Sequence, residues 1–422
     1  MRPVDPSKAA RDAVPAASPG PSGAQRPSRG PAITLLLASA LTIMAGTAIA
    51  PALPAIEATF ATTENVALLT RSLITMPALV IAFVGPFAGS LTDRLGRRRV
   101  LVGAIVLYAF AGLSGLVLDT LPGLLIGRAL LGAAVAGIMT ASTALVGDLF
   151  AGAERDRFMG QQAAFTGVGG LVFMTGGGLL AEVNWRMPFA IYGFAFIVLA
   201  AALANLREPQ RTGSAAARTP SGSIPWLPVT ALYLTAAFNS VIFYLIPTQL
   251  PFHLGSLGVA APSLVGITIG LFNLSIAAAS LGYGNVRRRI DIMGMFGLGF
   301  ALMAVGYGLI AAADSHRLVV IGLVVTGIGM SGIMPSLMAG AMAIAPPSAR
   351  GRIAGGLTAS IFLGQFLSPL ITQPWIGRFG YAATFRDMGI LLAVAAFSAG
   401  LVAAGRRLHA HRTRPGHDDL PL

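Results

Sequence analysis

Long apolar runs, each about 20 residues and separated by short segments that carry arginines, dominate this sequence. An α-helix needs about 20 mostly apolar residues to cross the hydrocarbon core of a bilayer, so runs of this length indicate membrane-spanning helices. Only 11% of the 422 residues are charged and 55% are hydrophobic, whereas a soluble domain carries about 25% charged residues. This composition excludes an ordinary soluble protein, because it provides too few charged side chains to cover a water-exposed surface.

Twelve such runs can be marked along the chain, and they predict an all-α membrane protein with twelve transmembrane helices. The predicted spans of the first half are Ala32–Pro54, Val66–Ser90, Val100–Leu118, Leu121–Val146, Gly160–Ala181 and Met187–Leu206. Those of the second half are Trp226–Leu250, Pro262–Tyr283, Ile292–Ala313, Leu318–Ile344, Ile353–Pro374 and Ala383–Ala404.

Polar stretches divide the spans six and six. Residues 1–31 are rich in Pro, Ala, Ser and Gly, which predicts a disordered cytoplasmic tail. Residues 207–225 are polar and predict a flexible cytoplasmic linker. The chain is therefore expected to form an N-terminal six-helix bundle over 32–206, a C-terminal six-helix bundle over 226–404 and a basic cytoplasmic tail over 405–422.

The basic residues alternate between the two sides of the predicted membrane. With the N-terminus inside, 23 of the 29 Lys and Arg residues fall in cytoplasmic segments, four in outer loops and two within spans. This asymmetry follows the positive-inside rule and predicts both termini in the cytoplasm of a bacterial-type inner (plasma) membrane. The net charge of +13 is thus a mark of topology, and no nucleic-acid partner is expected, because the charges do not follow one face of a polar domain.

The absence of cysteine excludes disulfides, thiolate catalysis and cysteine-based metal centres. No G-x-x-x-x-G-K-[ST] phosphate-binding loop occurs, so direct use of ATP is unsupported. We therefore expect no enzymatic activity, no cofactor and no metal site.

The loop between the second and third spans carries an ordered set of glycines, an acid and arginines. It reads Gly89-Ser90-Leu91-Thr92-Asp93-Arg94-Leu95-Gly96-Arg97-Arg98-Arg99. This run resembles the loop signature of the major facilitator superfamily, G-x-L-x-D-R-x-G-R-[RK], at every defining position and at the same place between helices. Gly89 and Gly96 permit a close helix approach and a tight turn, while Asp93 at the membrane edge needs a partner, for which Arg97 is the natural candidate.

The resemblance implies the major facilitator fold, in which two six-helix bundles move against each other around a central cavity. It also implies a contact between Asp93 and the N-terminus of the eleventh span near Ile353, with Asp148 joining the charge network. The expected conformational latch consists of Gly89, Asp93, Arg94, Gly96, Arg97 and Asp148.

The fourth span contains Leu124-Leu125-Ile126-Gly127-Arg128-Ala129-Leu130-Leu131-Gly132. It resembles the family's fourth-helix signature, an Arg followed four residues later by a Gly, with Leu131 in place of the usual Gln. A charged side chain at the centre of a membrane helix costs at least ~2.5 kcal/mol, so Arg128 needs partners or a function. The resemblance implies a role in proton coupling; the residues alone also allow a structural hub of hydrogen bonds, and both interpretations stay open.

Two further stretches resemble the twelve-span drug:proton antiporter branch. The first span ends with Pro51-Ala52-Leu53-Pro54, and the fifth carries Gly176-Gly177 before Trp185-Arg186. The expected Gly-Pro pair of the fifth span is Val172-Phe173, which departs from the antiporter pattern. The glycines of this span are predicted to be helix-packing positions, namely Gly167, Gly169, Gly170, Gly176, Gly177 and Gly178.

The resemblance implies that spans one, four, seven and ten line the central cavity, and Asn273 and Gln365 on neighbouring spans are expected to reach it. The candidate cavity residues are Thr47, Met139, Thr143, Tyr233, Asn239, Tyr244, Met330, Met334 and Gln365. Methionine and aromatic side chains suit apolar substrates of variable shape.

Proton coupling requires a group that changes charge, yet no acid lies in the middle of a cavity-lining span. The coupling candidates are Arg128, Asp93, Arg71 and Glu57, and Glu57 or Glu64 is placed to pair with Arg71 near the outer ends of the first two spans. We interpret His253 as an interfacial loop residue rather than a proton relay.

These observations predict a secondary-active transporter that exports hydrophobic or amphipathic small molecules, coupled to proton influx, by alternating access. Its partners would be the small-molecule substrate, protons and the lipid bilayer, and a monomer is expected. The main alternative is an uptake or facilitative permease for a small metabolite, which the missing Gly-Pro pair and the absent central carboxylate favour. A third interpretation is a membrane scaffold or sensor on the same fold.

Overall fold

The computed structural model describes residues 29–208 and 223–412, and these residues form helices without any strand. We refer to the two ranges as the first and second halves. The predicted N-terminal tail, linker and C-terminal tail lie largely outside the described residues.

The helices of each half follow one another with short connections. The first half contains α1 (Arg29–Thr47), α2 (Leu53–Thr59), α3 (Val66–Leu95), α4 (Arg97–Leu113), α5 (Leu121–Leu149), α6 (Gly152–Val183) and α7 (Phe194–Asn205). The second half contains α8 (Trp226–Ser256), α9 (Pro262–Ser280), α10 (Tyr283–Arg287), α11 (Ile292–Ala311), α12 (His316–Met330), α13 (Ile333–Ile344) and α14 (Arg350–Arg412).

Eleven helical segments of the described residues are long and apolar enough to cross a membrane. The last of them, Pro347–Arg406, has 60 residues, whereas a single crossing needs about 20. Gly380 interrupts this segment with φ 80° and ψ 173°, a conformation that glycine adopts readily. One crossing before Gly380 and one after it bring the count of crossings into agreement with the predicted twelve. The predicted all-α membrane fold is confirmed.

The first crossing was predicted as one continuous span over Ala32–Pro54, but the structure interrupts its helix after Thr47. Helix α1 ends at Thr47, a short 3₁₀ turn follows over Ala50–Ala52, and α2 then begins. Pro51 and Pro54 lie in the first turns of these two elements, where the missing N–H of proline is tolerated because no intrahelical acceptor would receive it.

The two halves meet mainly where α6 packs on α9 and where α3 packs on α14. Four of the glycines predicted as packing sites lie at tight contacts. Gly177 packs against the Ala48 carbonyl within the first half, and we call the other three, Gly167, Gly170 and Gly178, the glycine seam. A Cβ added to Gly178 would collide with the carbonyl oxygen of Pro262, and one added to Gly167 would collide with Ala277. Small residues therefore permit this close contact between the halves, as in other membrane helix pairs.

Candidate functional site

A cavity of about 240 Å³ lies between the two halves. Helices α1, α3 and α5 contribute one wall, and α8, α9 and α14 contribute the other. We call it the central cavity. Its hydrogen-bonding side chains are Thr42, Thr47, Tyr244, Asn273 and Gln365, and its apolar lining includes Met139, Phe243 and Phe362.

Four of the nine predicted cavity residues line this cavity, namely Thr47, Met139, Tyr244 and Gln365. Tyr233 lies outside its lining and donates a hydrogen bond to the carbonyl of Ile353 at 3.1 Å. Asn239, Met330, Met334 and Thr143 also lie outside that lining. Phe243 and Phe362 were not predicted, because a phenylalanine in an apolar span carries no signal of which side it faces.

A second cavity of about 500 Å³ continues from the central one, since Ile81 and Met139 line both. Its walls come from α3, α5 and the first turns of α14, where Arg352 is its charged side chain. A Cβ added to Gly85, Gly351 or Gly355 would meet no other atom within 4 Å. Helices α3 and α14 therefore leave open space at this end, which we call the basic end because it carries Arg97–Arg99, Arg350 and Arg352.

The opposite end of the pathway is closed by a group of side chains around Arg71. Its Nε donates to the side-chain oxygen of Gln249 at 2.8 Å, and its Nη2 donates to the Tyr381 hydroxyl at 3.3 Å. Glu57 pairs with Nη1, and the Phe252 ring lies 3.8 Å from the guanidinium carbon. We call these five residues the Arg71 cluster.

The cluster joins the halves, because Glu57 and Arg71 belong to the first half and the other three belong to the second. Arg71 is 1% exposed, so its charge is compensated by these contacts rather than by water. Gln249 in turn donates to the side-chain oxygen of Gln373 at 3.1 Å within the second half. The sequence suggested Glu57 or Glu64 as the partner of Arg71, and Glu57 is the one that pairs with it. The sequence did not suggest the second-half partners, which lie at least 178 residues away along the chain.

Arg128 is 2% exposed and makes all its hydrogen bonds inside the first half. Its Nε donates to the Leu73 carbonyl at 2.7 Å and its Nη1 to the Tyr192 hydroxyl at 2.7 Å. Its Nη2 donates to the carbonyl of Ala45. These contacts tie α1, α3 and α5 together, which is the geometry of the structural hub; the coupling role stays a prediction.

The loop at the basic end contains an ion pair between Arg97 and Asp148. Gly96 turns the chain with φ 100°, and a Cβ there would lie 2.7 Å from a carboxylate oxygen of Glu208. Gly96 therefore suits both the turn and the close contact. A Cβ on Gly89, by contrast, would meet no atom within 4 Å, so the close approach expected at Gly89 is not made in this arrangement. Asp93 and Arg94 lie in the last turn of helix α3, beside this loop.

Glu208 is a functional neighbour that the sequence did not reveal. Its carboxylate accepts from the backbone N–H of Arg97 at 2.6 Å and of Arg98 at 3.1 Å. An acid in this position caps the start of α4 and is stabilised by the positive helix end. It is the last residue of the first half, in a segment whose composition predicts a flexible linker, and it lies 111 residues from Arg97.

The interpretation of His253 as an interfacial loop residue is wrong. His253 lies within α8 and is 3% exposed, with Nε2 at 3.3 Å from the Ile310 carbonyl. Two prolines, Pro247 and Pro251, lie inside the same helix without ending it, because prolines are tolerated in packed membrane helices.

Among the described residues, no group of three or more His, Asp or Glu side chains is placed to hold a metal ion.

Comparison with known proteins identifies a family model that matches both halves of the chain and relatives that match part of it. The family model described as Major Facilitator Superfamily matches residues 35–293 and 232–420. Multidrug resistance protein 1 of Bacillus subtilis (strain 168) is 34% identical over 136 residues, 32% of this chain and 35% of that protein. Puromycin resistance protein pur8 of Streptomyces alboniger is 31% identical over 189 residues, 43% of this chain and 36% of that protein. These alignments span about a third of each relative.

Solved structures share the fold at low sequence identity. The crystal structure of a D-xylose-proton symporter superposes with a TM-score of 0.71 at 14% identity, over 87% of this chain and 97% of that chain. A nucleoside transporter gives 0.73 at 12% identity, over 87% of this chain and 99% of that chain. At this identity the likeness establishes the arrangement of helices alone.

Proposed function

The chain belongs to the Major Facilitator Superfamily, and from this premise we propose that it exports hydrophobic or amphipathic small molecules in exchange for protons. The observation that carries this proposal is the pathway between the halves, closed by the Arg71 cluster and open at the basic end. Alternating access requires two such states, related by rocking one bundle against the other. A molecule closed at the Arg71 cluster and open at the basic end would be one of these two states.

The positive-inside rule assigns the basic end to the cytoplasm of a bacterial-type inner membrane, with both termini on that side. In this orientation the described state faces inward, and the central cavity takes its substrate from the cytoplasm or the inner leaflet. The two bundles would extend over 32–206 and 226–404, and one chain contains the whole pathway, so a monomer suffices.

Export is supported by the relatives, which are named for resistance to several drugs or to puromycin. The central cavity suits such substrates, since Met139 adapts to different shapes and Phe243 and Phe362 offer flat apolar surfaces. A facilitative permease remains the second candidate, because no acidic side chain of the described residues lines the central cavity.

Glu57 is the coupling residue that the geometry favours. Its side chain is 27% exposed at the closed end, while its partner Arg71 is buried. Protonation of Glu57 from outside would remove the negative charge that compensates Arg71, and the closed end would be weakened. Protons would therefore favour the outward-open state, in which an exporter releases its substrate. When the closed end forms again and Glu57 pairs with Arg71, coupling requires Glu57 to release this proton through the pathway toward the basic end.

Everted membrane vesicles that acidify their interior provide the direct test, with uptake of a fluorescent drug as the readout. We expect accumulation that stops when the proton gradient is dissipated. Accumulation to equal concentrations with or without the gradient would support the facilitative permease instead. No flux in either direction would leave the scaffold or sensor interpretation.

The coupling role of Glu57 is tested in the same vesicles with Glu57→Gln. This variant should exchange substrate across the membrane yet lose gradient-driven accumulation. Glu64→Gln is the matched control, since Glu64 is an exposed acid at the same end that makes no contact with Arg71. Full gradient-driven accumulation by Glu57→Gln would refute the assignment.

A further inference from the structure

We propose that the central cavity selects amphipathic molecules that are uncharged or negatively charged, and that it rejects lipophilic cations. Gln365, Asn273 and Tyr244 would hydrogen-bond the polar part of the substrate. This inference rests on the transport function proposed above and narrows its substrate class.

The first argument is the absence of negative charge along the two cavities, since Glu57 belongs to the closed end beyond them. No aspartate or glutamate of the described residues lines the central cavity or the cavity that continues to the basic end. A lipophilic cation entering this pathway would lose its hydration and find no carboxylate to replace it.

The second argument is an uncompensated positive charge behind the cavity wall. Ala45 lines the central cavity, and its carbonyl accepts a hydrogen bond from Arg128. The partners of Arg128 are two carbonyl oxygens and a phenol, all of them neutral, so the positive charge is solvated but not cancelled. Arg352 adds a second positive charge at the basic end. In a low-dielectric interior these charges attract anions and repel cations.

The third argument is a set of polar groups that await a partner. The side-chain oxygen of Gln365 is buried without a hydrogen bond, although buried polar groups nearly always have one. Asn273 uses its Nδ2 within its own helix, on the Ile269 carbonyl at 3.1 Å, which leaves its oxygen available. A Cβ on Gly46 would lie 2.8 Å from the Tyr244 hydroxyl, so the glycine leaves room for that group.

These three side chains share the central cavity with Met139 and two phenylalanines. The arrangement suits a molecule with an apolar body and one or two hydrogen-bonding groups. The amide oxygens of Gln365 and Asn273 accept hydrogen bonds from neutral donor groups of a substrate, whereas donation to a carbonyl or carboxylate oxygen falls to the Gln365 Nε2 and the Tyr244 hydroxyl.

Rhodamine 123 and fluorescein test the proposal, because they share a xanthene skeleton while the first is a cation and the second an anion at neutral pH. Gradient-driven flux of each dye is measured with purified protein in proteoliposomes. We expect fluorescein to be transported at least tenfold faster than rhodamine 123. Equal or preferential transport of rhodamine 123 would overturn the charge selection and leave the exporter proposal intact. If neither these dyes nor the drug of the vesicle assay moves, the exporter proposal itself fails and the selection with it.

Gln365→Glu tests the site within the same assay. A negative charge placed in the central cavity should raise the rate for rhodamine 123 and lower that for fluorescein, with a combined change in their ratio of tenfold or more. Gln161→Glu is the matched control, because it introduces the same charge at an exposed position of α6 outside both cavities. A Gln365→Glu protein with the parent melting temperature and an unchanged ratio would contradict the placement of the substrate beside Gln365.

Discussion

Two buried arginines show how one residue type serves two purposes in this molecule. A guanidinium in a membrane helix needs partners for its five N–H groups, or it costs at least ~2.5 kcal/mol. Arg128 finds all its partners inside the first half and stabilises that half as a unit. Arg71 finds Gln249, Phe252 and Tyr381 in the second half. Arg71 therefore stabilises one relative placement of the halves, and its contacts must break when the closed end opens.

Gln249→Leu should destabilise the closed end. A hydrogen bond to a charged group contributes about 1.5–3 kcal/mol, so its loss shifts the balance between the two states roughly tenfold or more toward outward-open. The readout is labelling of a cysteine introduced at Thr47, in the central cavity, by an impermeant maleimide added outside intact cells. Gln373→Leu is the control, since it removes a bond to the same amide within the second half. Equal labelling in the two variants would contradict a gating role for Arg71 and Gln249.

At the scale of helices, the sequence predicted which glycines lie at helix contacts, but it did not predict which residues they pack against. The glycines of the fifth span were predicted to be packing sites, and three of them form the glycine seam, while Gly177 packs against Ala48. Their partners on α9, namely Pro262, Asn273 and Ala277, could not be predicted, because they lie about a hundred residues away and no pattern of the sequence pairs them with these glycines. Gly89 and Gly355 have open space beside them in this state. The small residues at these two positions are explained if α3 and α14 move into contact at the basic end when the end closed by the Arg71 cluster opens.

Gly178→Ala should reduce stability through the glycine seam. The added methyl group would collide with the Pro262 carbonyl, and such overpacking costs typically about 1–3 kcal/mol. We expect a lower melting temperature of the purified protein in detergent. Gly176→Ala is the control on the same helix, because the nearest atom to its Cβ would be 3.9 Å away. Equal melting temperatures for the two variants would show that the seam adjusts freely and does not fix the contact between α6 and α9.

For the whole molecule, the number of crossings and their predicted direction rest on local properties of the chain, namely span length and the side on which arginines fall. The Arg71 cluster, the central cavity and the Glu208 cap depend on residues brought together from distant spans. Thr47 and Gln365 could be placed at the cavity only through a family resemblance, whereas the second-half partners of Arg71 had no signal in the sequence. Folding brings these residues together by packing two bundles, and no periodicity records that packing when every face of a helix is apolar.

The orientation of the whole molecule can be tested simply, because the chain contains no cysteine and every introduced one is unique. Cysteines at Asn184 and Ser315 lie in exposed connections at the closed end. Cysteines at Ala153, in the first turn of α6, and at Gly284, in the short helix α10, lie at exposed positions of the basic end. Since the positive-inside rule places the basic end in the cytoplasm, an impermeant maleimide should label the first pair in intact cells and the second pair only after permeabilisation. The parent chain gives the background signal. Reversal of the labelling at all four positions would place the basic end outside. Reversal at Ala153 and Asn184 of the first half alone, or at Gly284 and Ser315 of the second half alone, would require an odd number of crossings between Ala153 and Gly284. Two parallel six-helix bundles cannot provide an odd number there.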